Sequence, residues 1–189
     1  AYALARQGYR VTVMERWPAV GGVLRWIPRF KLSSRVLDRY LRALSQEGVM
    51  FRTGVDVKSP QELLDQGFEA VFLGIGASRP SLQGLGGTHW DGVMTSTEFL
   101  VRTHFQGELP EQWTRLTSLK VKRVVVLGGG DSAMDCLRTA VRLGAREATC
   151  LYRRDEASMP GSKKEVKAAK EEGVNFKYLT APSHLLSTD

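Results

Sequence analysis

The stretch from residue 121 to residue 155 constrains the fold more than any other part of this sequence. It opens with the branched apolar run Val124–Leu127, which predicts a buried parallel strand. The glycines Gly128–Gly130 follow at once, and a helical pattern then runs to Gly144. A second apolar run, Ala148–Tyr152, predicts another strand. Strand, glycine-rich turn, helix and strand within about 30 residues are typical of the βαβ unit that binds dinucleotides.

The glycine-rich turn predicts how this unit would hold a pyrophosphate. Gly128 permits a tight turn, Gly130 lets backbone N–H groups approach the ligand, and the small Ala133 lets the helix pack close to the strand. The positive end of the helix dipole adds attraction for the phosphates. The candidate residues of this turn are Gly128, Gly129, Gly130, Asp131, Ser132 and Ala133. A glycine turn in an unrelated α/β domain is the alternative, but it leaves the arginines that follow the second strand unexplained.

Asp131 places a carboxylate near the expected pyrophosphate, where its charge is unfavourable. The arrangement is tolerable if its oxygens cap N–H groups of the helix, or if it meets the nicotinamide end of the ligand rather than the phosphates.

Arg153 and Arg154, at the tip of the second strand, predict which nucleotide binds. NAD-binding units usually carry an acidic residue here, which holds the ribose 2′-hydroxyl. A guanidinium can instead pair with a 2′-phosphate through two hydrogen bonds. The arginines therefore favour NADPH, with a solvated strand end as the alternative. Lys163 and Lys164 could assist the 2′-phosphate, but a solvated helix face explains them better.

Residues 1–16 read as the rear half of a second dinucleotide-binding unit. A helix end is closed by Gly8, a strand follows at Arg10–Met14, and Glu15 stands at the strand tip, where an acid would hold a ribose hydroxyl. An ordinary exposed acid is the alternative for Glu15. The position that would match Ala133 falls before residue 1, so we expect an N-terminally truncated fragment whose first phosphate loop is missing.

Composition narrows the function classes. A hydrophobic content of 42% and a charged content of 25% predict a soluble globular protein. No apolar run reaches the length of a membrane span and no signal peptide is visible, so we expect a cytoplasmic protein with no membrane contact. The net charge of +7 is scattered rather than clustered, which favours anionic cofactors or an acidic partner over nucleic acid. Cys136 and Cys150 have no metal-ligand spacing, and we expect both in the core.

Five segments of the chain resemble one known family, the small (beta) subunit of NADPH-dependent glutamate synthase. They are VMERWPAVGG, IPRFKL, VFLGIGA, RVVVLGGGDSAMDC and YRRDEASMPGSKKEVKAAKEEGV. The chain is similar, less closely, to the wider flavoprotein group that includes the NADPH-oxidising half of dihydropyrimidine dehydrogenase. The resemblance implies hydride transfer from NADPH to FAD and no catalytic side chain. It also implies that iron–sulfur clusters outside this fragment pass the electrons to a large (alpha) subunit, which makes glutamate from glutamine and 2-oxoglutarate.

The same resemblance implies a set of FAD-binding residues. Glu15, followed by Arg16, would hold the FAD ribose, whereas Gly22, Val23 and Leu24 would line the flavin. The remaining candidates are Lys31 at the cofactor's phosphates or flavin, the backbone of Val57 at the adenine, and Gly76 with Ala77 close to the FAD. The last two end the run 70–77, which predicts a buried strand. Arg25 and Trp26 depart from the family, which tends to have smaller or apolar residues there.

These inferences give an α/β fold with two Rossmann-like dinucleotide-binding units, an incomplete FAD domain and an inserted NADPH domain. The predicted parts are a partial FAD domain at 1–79, a linker at 80–91, an NADPH domain at 92–182, and a return linker at 183–189 toward a missing FAD segment. We expect the fragment itself to be inactive and not to bind FAD tightly. Two alternatives stay open: a paralogous NADPH:acceptor flavoprotein that serves a pyrimidine reductase or a ferredoxin, and a non-catalytic nucleotide-binding module.

Overall fold

A computed structural model of the chain describes residues 1–76, 90–105, 109 and 113–186. The chain divides into two compact units. The first comprises Ala1–Ser78 and His104–Glu108, and the second comprises Arg79–Thr103 and Leu109–Asp189. Each unit contains a parallel β-sheet. The predicted α/β class with parallel sheets is confirmed.

The first unit is built on two parallel strands and the helix that connects them. Its elements are α1 (Tyr2–Arg6), β1 (Thr12–Glu15), a 3-10 helix (Gly22–Arg25), α2 (Ser34–Gln46), β2 (Met50–Thr53) and α3 (Pro60–Asp65). Thr12 pairs with Met50 and Glu15 with Thr53, so the two strands end side by side. Gly48, with a φ of +88°, lets the chain leave α2 and enter β2. The strand predicted within residues 1–16, with Glu15 at its tip, therefore forms part of a parallel sheet.

Aromatic side chains form much of the core of the first unit. The Trp17 ring centroid lies 5.7 Å from that of Trp26 and 5.3 Å from that of Phe105. Trp26 and Phe105 are buried, as are Leu37 and Leu44 on α2. Ring pairs at these separations add to the free energy of burial. The loop after β1 is therefore anchored at Trp17 and Trp26.

The prediction of a buried strand at 70–77 is wrong for the residues that the structure describes. Residues 70–76 form no strand, and Phe72 and Ile75 are 91% and 84% exposed. A strand needs a neighbour that accepts its hydrogen bonds, and within the described residues the sheet of the first unit consists of β1 and β2 alone. The apolar composition of this segment therefore predicts a strand, but no strand in the described residues pairs with it. Ala77 lies outside the described residues.

The second unit contains the central βαβ stretch. Its elements are most of α4 (Ser96–His104), followed by β3 (Arg123–Leu127), α5 (Asp131–Arg142), β4 (Glu147–Leu151), a 3-10 helix (Glu156–Ser158), α6 (Lys163–Glu171) and β5 (Asn175–Lys177). The three strands are parallel in the order β3-β4-β5. The helical periodicity predicts Ala133, Leu137, Ala140 and Val141 on one face of α5; the first three are buried and Val141 is half-buried, whereas the fully buried Met134 was not predicted.

The central stretch differs from its prediction in the burial of its first strand. β3 was predicted to be buried, but Val125 and Leu127 are 55% and 41% exposed. β3 lies at the edge of the described sheet, whereas Ala148, Thr149 and Cys150 on the central strand β4 are all buried. The parallel pairing is confirmed and the burial is wrong, because an apolar run does not reveal a strand's position in its sheet.

No helix in the described parts of the chain combines the length and the apolar character that crossing a membrane requires.

Candidate functional site

The glycine-rich turn and the arginines meet at one edge of the sheet of the second unit. Leu127, the last residue of β3, pairs with Leu151, the last residue of β4. The N–H group of Gly128 donates a hydrogen bond of 3.0 Å to the carbonyl of Leu151, which holds the turn against the end of β4. Ligands of open parallel sheets bind outside the carboxyl ends of the strands. The segment that holds Arg153 and Arg154 therefore leaves the sheet next to the turn.

The turn has features that suit a phosphate cradle. Gly128 has a φ of +122°, which L side chains rarely adopt. A Cβ on Gly130 would meet no protein atom within 4 Å, so open space adjoins the start of α5. Ala133 is 8% exposed at the contact of helix and sheet. The first turn of a helix has N–H groups without intrahelical acceptors, so these residues fit a diphosphate.

Gly129 faces protein rather than open space. A Cβ at this position would lie 2.8 Å from the Tyr152 ring and 3.1 Å from Cε of Met159. The Gly129 carbonyl accepts a 2.9 Å hydrogen bond from the N–H group of Gly161. A Cβ on Gly161 would lie 2.8 Å from that same carbonyl oxygen. The segment 152–162, which connects β4 to α6, thus packs directly against the glycine-rich turn.

Asp131 also contacts this segment. Its Oδ1 accepts a 2.8 Å hydrogen bond from the backbone N–H of Ser162. Ser162 is in turn the N-terminal cap of α6, and its Oγ accepts from the N–H of Glu165 at 3.3 Å. The carboxylate therefore accepts a hydrogen bond from a backbone donor, although it was expected to cap N–H groups of the helix that it begins. The donor belongs to the neighbouring segment and not to α5 itself.

Arg153 and Arg154 lie at the end of β4, and Arg154 makes contacts within the segment that follows this strand. Both are exposed. Nε of Arg154 donates a 3.1 Å hydrogen bond to Oη of Tyr152, and the guanidinium carbon lies 5.7 Å from the centroid of that ring. Ser158 hydrogen-bonds Asp155 and, with nearby Arg154, keeps the pKa of the Asp155 carboxyl below its usual value. Asp155 thus holds Ser158, whose carbonyl oxygen accepts a hydrogen bond from the hydroxyl of Tyr152.

In the first unit, Glu15 lies at the carboxyl end of β1. Its side chain is half-buried, and Oε1 accepts a 3.0 Å hydrogen bond from the backbone N–H of Trp17. This bond fixes the carboxylate at the strand tip. Arg16 is exposed. Gly22 has a φ of +50° and opens the 3-10 helix.

Val23 and Leu24 present an apolar surface on that 3-10 helix, with exposed fractions of 60% and 43%. Arg25 does not cover them, because its Nε donates to the carbonyl of Val20 and its Nη1 to Oδ1 of Asp38, both at 2.7 Å. Trp26 is buried in the aromatic core. The two residues that depart from the family pattern are therefore directed into the protein.

The other predicted FAD residues lie in separate loops. Lys31 is exposed in a turn whose backbone bonds the carbonyl of Pro28 at 2.8 Å. Val57 is half-buried beyond the end of β2, and Gly76 is exposed with a φ of +66°. Their assignment to FAD stays a prediction.

Both cysteines are buried free thiols, as expected. Burial, with a smaller contribution from Asp135, raises the pKa of Cys136 to about 12, and burial raises the pKa of Cys150 to about 11. The thiolate is the reactive form. We expect Ellman's reagent to label neither thiol appreciably at pH 8 in the folded protein and to label two thiols in guanidinium chloride. Stoichiometric labelling of the folded protein, at the rate of a free thiol, would contradict the burial of either residue.

Several residues of the site escaped prediction from sequence. The sequence predicts Tyr152 only as the end of a strand and indicates no role in the site for Met159, Gly161 or Ser162. The adjacent Pro160 and Gly161 are a turn signal that was visible in the sequence. That signal predicts a change of direction, but it does not identify Gly129 as the residue that Gly161 contacts.

Comparison with known proteins identifies relatives of the chain. It is 43% identical to the glutamate synthase [NADPH] small chain of Escherichia coli strain K12, over 96% of this chain and 40% of that protein. It is 37% identical to the NADP(+)-dependent formate dehydrogenase subunit beta of Moorella thermoacetica, over 99% of this chain and 26% of that protein. The chain thus spans two fifths or less of the length of these two relatives.

The solved structure of Mycobacterium tuberculosis FprA in complex with NADPH has a similar fold, with a TM-score of 0.65. The two are 19% identical, and the match covers 86% of this chain and 40% of that one. The family model described as "Pyridine nucleotide-disulphide oxidoreductase" matches residues 61–186, which is more than half of the chain. With the parallel sheets and the glycine-rich turn already described, this match shows that the chain belongs to the pyridine nucleotide-disulphide oxidoreductase family.

Proposed function

We propose that this chain is the nucleotide-binding part of the electron-input subunit of a glutamate synthase, which transfers a hydride from NADPH to FAD. In the complete protein, the electrons continue through iron–sulfur clusters to a large subunit that makes glutamate. We place this reaction in the cytoplasm. The similarity to glutamate synthase small chains supports the proposal. The proposed domains are a partial FAD domain at residues 1–79 and an NADPH domain at 92–182.

One observation carries the proposal: two exposed arginines lie at the end of β4, beside a glycine-rich turn with open space at Gly130. The backbone of this turn and the start of α5 would hold the pyrophosphate, which NADH and NADPH share. Arg153 and Arg154 would bind the 2′-phosphate, which only NADPH carries. No acidic side chain occupies these two positions to favour a ribose hydroxyl.

The cofactors supply the redox chemistry, in which a hydride moves from the nicotinamide to the flavin. The residues of this chain bind and orient them. In the first unit, the fixed carboxylate of Glu15 would accept hydrogen bonds from the FAD ribose, and the exposed Val23 and Leu24 would adjoin the flavin. No side chain is needed as an acid or a base.

An Arg153→Ala substitution tests the proposal. We expect the variant to bind NADPH about tenfold more weakly and to bind NADH unchanged, because one charged hydrogen-bonding partner of the 2′-phosphate contributes roughly 1.5–3 kcal/mol when fully made and less at an exposed site. Fluorescence titration of the purified protein with each nucleotide measures both affinities. Arg146→Ala is the matched control, since Arg146 is also exposed but precedes β4 at the opposite end of the strand.

Equal affinity of the unmodified protein for NADPH and NADH would contradict the assignment of the 2′-phosphate. So would a preference for NADPH that survives the combined replacement of Arg153 and Arg154.

A second function has a specific observation in its favour. The chain is also similar to a subunit of a formate dehydrogenase whose name states dependence on NADP(+). The same nucleotide site could therefore serve a flavoprotein with a different electron acceptor. Co-purification of the tagged full-length protein from its native cells distinguishes the two, because a glutamate synthase large subunit is expected only under the first.

A further inference from the structure

Tyr152 contacts both parts of the proposed NADPH site, the glycine-rich turn and Arg154. It follows β4 directly and is 5% exposed. Its ring lies against Gly129 of the glycine-rich turn, where a Cβ would approach within 2.8 Å. Its hydroxyl lies 3.1 Å from Nε of Arg154 and 2.7 Å from the carbonyl oxygen of Ser158.

The direction of these two hydrogen bonds follows from the groups involved. A carbonyl oxygen can only accept and a guanidinium can only donate. The single hydroxyl proton of Tyr152 is therefore donated to Ser158, and a hydroxyl lone pair accepts the Nε proton of Arg154. Ser158 is itself held, because its N–H group donates a 2.9 Å hydrogen bond to Oδ1 of Asp155. The hydroxyl oxygen of Tyr152 is thus held in place and acts as the hydrogen-bond acceptor for Nε of Arg154.

This bond restricts the guanidinium of Arg154. Once Nε is committed to Tyr152, the Nη groups are the donors that an exposed Arg154 can offer to a phosphate. An arginine held in this way loses less side-chain entropy when it binds a ligand than a freely rotating one. Within the part of the chain that the structure describes, the Arg153 side chain makes no such bond. The two arginines therefore have different degrees of preorganisation.

We propose that Tyr152 is a positioning residue that sets the preference of this site for NADPH by orienting Arg154 toward the 2′-phosphate. The proposal rests on the proposed function, in that it takes the nucleotide to bind at the glycine-rich turn. The proposal attributes the discrimination between NADPH and NADH to the buried hydroxyl of Tyr152 as well as to the exposed arginines.

Tyr152→Phe is the appropriate variant, because it retains the ring against Gly129 and removes only the hydroxyl. We expect its affinity for NADPH to fall about three- to tenfold, which is the usual contribution of one hydrogen bond, and its affinity for NADH to stay unchanged. The ratio of the two affinities is measured by titrating the full-length protein. If the hydroxyl has only a structural role, its removal lowers the affinity for both nucleotides alike.

Arg154→Ala and the double variant Tyr152→Phe/Arg154→Ala complete a cycle. If Tyr152 acts through Arg154, the double variant has the same ratio of affinities as Arg154→Ala alone. A further loss in the double variant, or equal weakening of NADPH and NADH by Tyr152→Phe, would overturn the inference.

The cycle also separates this inference from the proposed function. If Arg153→Ala and Arg154→Ala lower the preference for NADPH but Tyr152→Phe does not, only the role of Tyr152 fails. If none of the three variants changes the preference, the assignment of the 2′-phosphate site fails as well.

Discussion

A Gly161→Ala substitution is expected to destabilise the second unit and to impair nucleotide binding at the same time. The added Cβ would lie 2.8 Å from the carbonyl oxygen of Gly129, which is a backbone atom of the glycine-rich turn. Backbone cannot rotate away as a side chain can, so the turn must shift and its hydrogen bond to the N–H of Gly161 must lengthen. We expect a loss of about 1–3 kcal/mol in the free energy of unfolding, as for other overpacked sites. Denaturant titration and NADPH titration measure the two effects.

Gly130→Ala provides the matched control for that experiment. Gly130 has a φ of −87°, which any residue adopts, and a Cβ there meets no protein atom within 4 Å. We therefore expect nearly unchanged stability but weaker NADPH binding, since the new methyl group occupies space that the pyrophosphate needs. If Gly161→Ala leaves both stability and binding unchanged, the contact between the segment 152–162 and the turn is not as close as described.

The second large effect is expected for Arg138→Ala. Nη1 of Arg138 lies 2.7 Å from Glu165, and Nη2 lies 2.7 Å from Glu172, so this one guanidinium joins α5 to both ends of α6. The three side chains are only 11%, 14% and 20% exposed. Removing the arginine leaves two largely buried carboxylates without their main partner. We expect a loss of about 2–4 kcal/mol in the free energy of unfolding, somewhat below the value for fully buried pairs.

This loss should depend on pH in a defined direction. Burial alone would raise the pKa of Glu172, but hydrogen bonds from Arg138 and Arg142 outweigh it and hold the pKa below the ordinary 4.5. A lowered pKa contributes stability above the unfolded value, and that contribution is lost as the pH falls through the folded value. The difference between wild type and Arg138→Ala should therefore be largest near pH 7 and shrink below about pH 4.5. Urea titrations at several pH values measure it.

Arg142→Ala is the control for the ion-pair network. Arg142 also contacts Glu172, at 2.8 Å, but its side chain is 48% exposed. An exposed pair contributes about 0–1 kcal/mol, so this variant should be much milder. Equal destabilisation by Arg138→Ala and Arg142→Ala would show that burial does not set the strength of these contacts.

The local elements around the glycine-rich turn were predictable because short-range rules determine them. Val124–Leu127 and the helix that ends before Gly144 agree with β3 and α5 to within a residue or two. Apolar periodicity, glycine and helix ends act within a few residues of one another, so the sequence alone contains what is needed.

Features that depend on a distant partner were not predictable in the same way. The run at 70–76 has the composition of a buried strand, but hydrogen bonding to a neighbour makes a strand, and the described sheet contains none for it. Gly129 illustrates the same limit within the candidate site. Its motif assigns it to a ligand, whereas its immediate neighbours are Tyr152 and Met159, whose approach depends on how the segment after β4 folds back.

The proposed division of roles between the glycine-rich turn and the end of β4 has an evolutionary consequence. The turn would use backbone N–H groups to bind what all dinucleotides share, so few substitutions there are tolerated. The residues that we propose to distinguish NADPH from NADH include two exposed side chains, Arg153 and Arg154, at the adjacent end of β4. Mutation can therefore alter cofactor preference at positions 153 and 154 without rebuilding the phosphate cradle. When the supply of NADH and NADPH changes, a lineage with this fold can change its cofactor preference through a small number of substitutions.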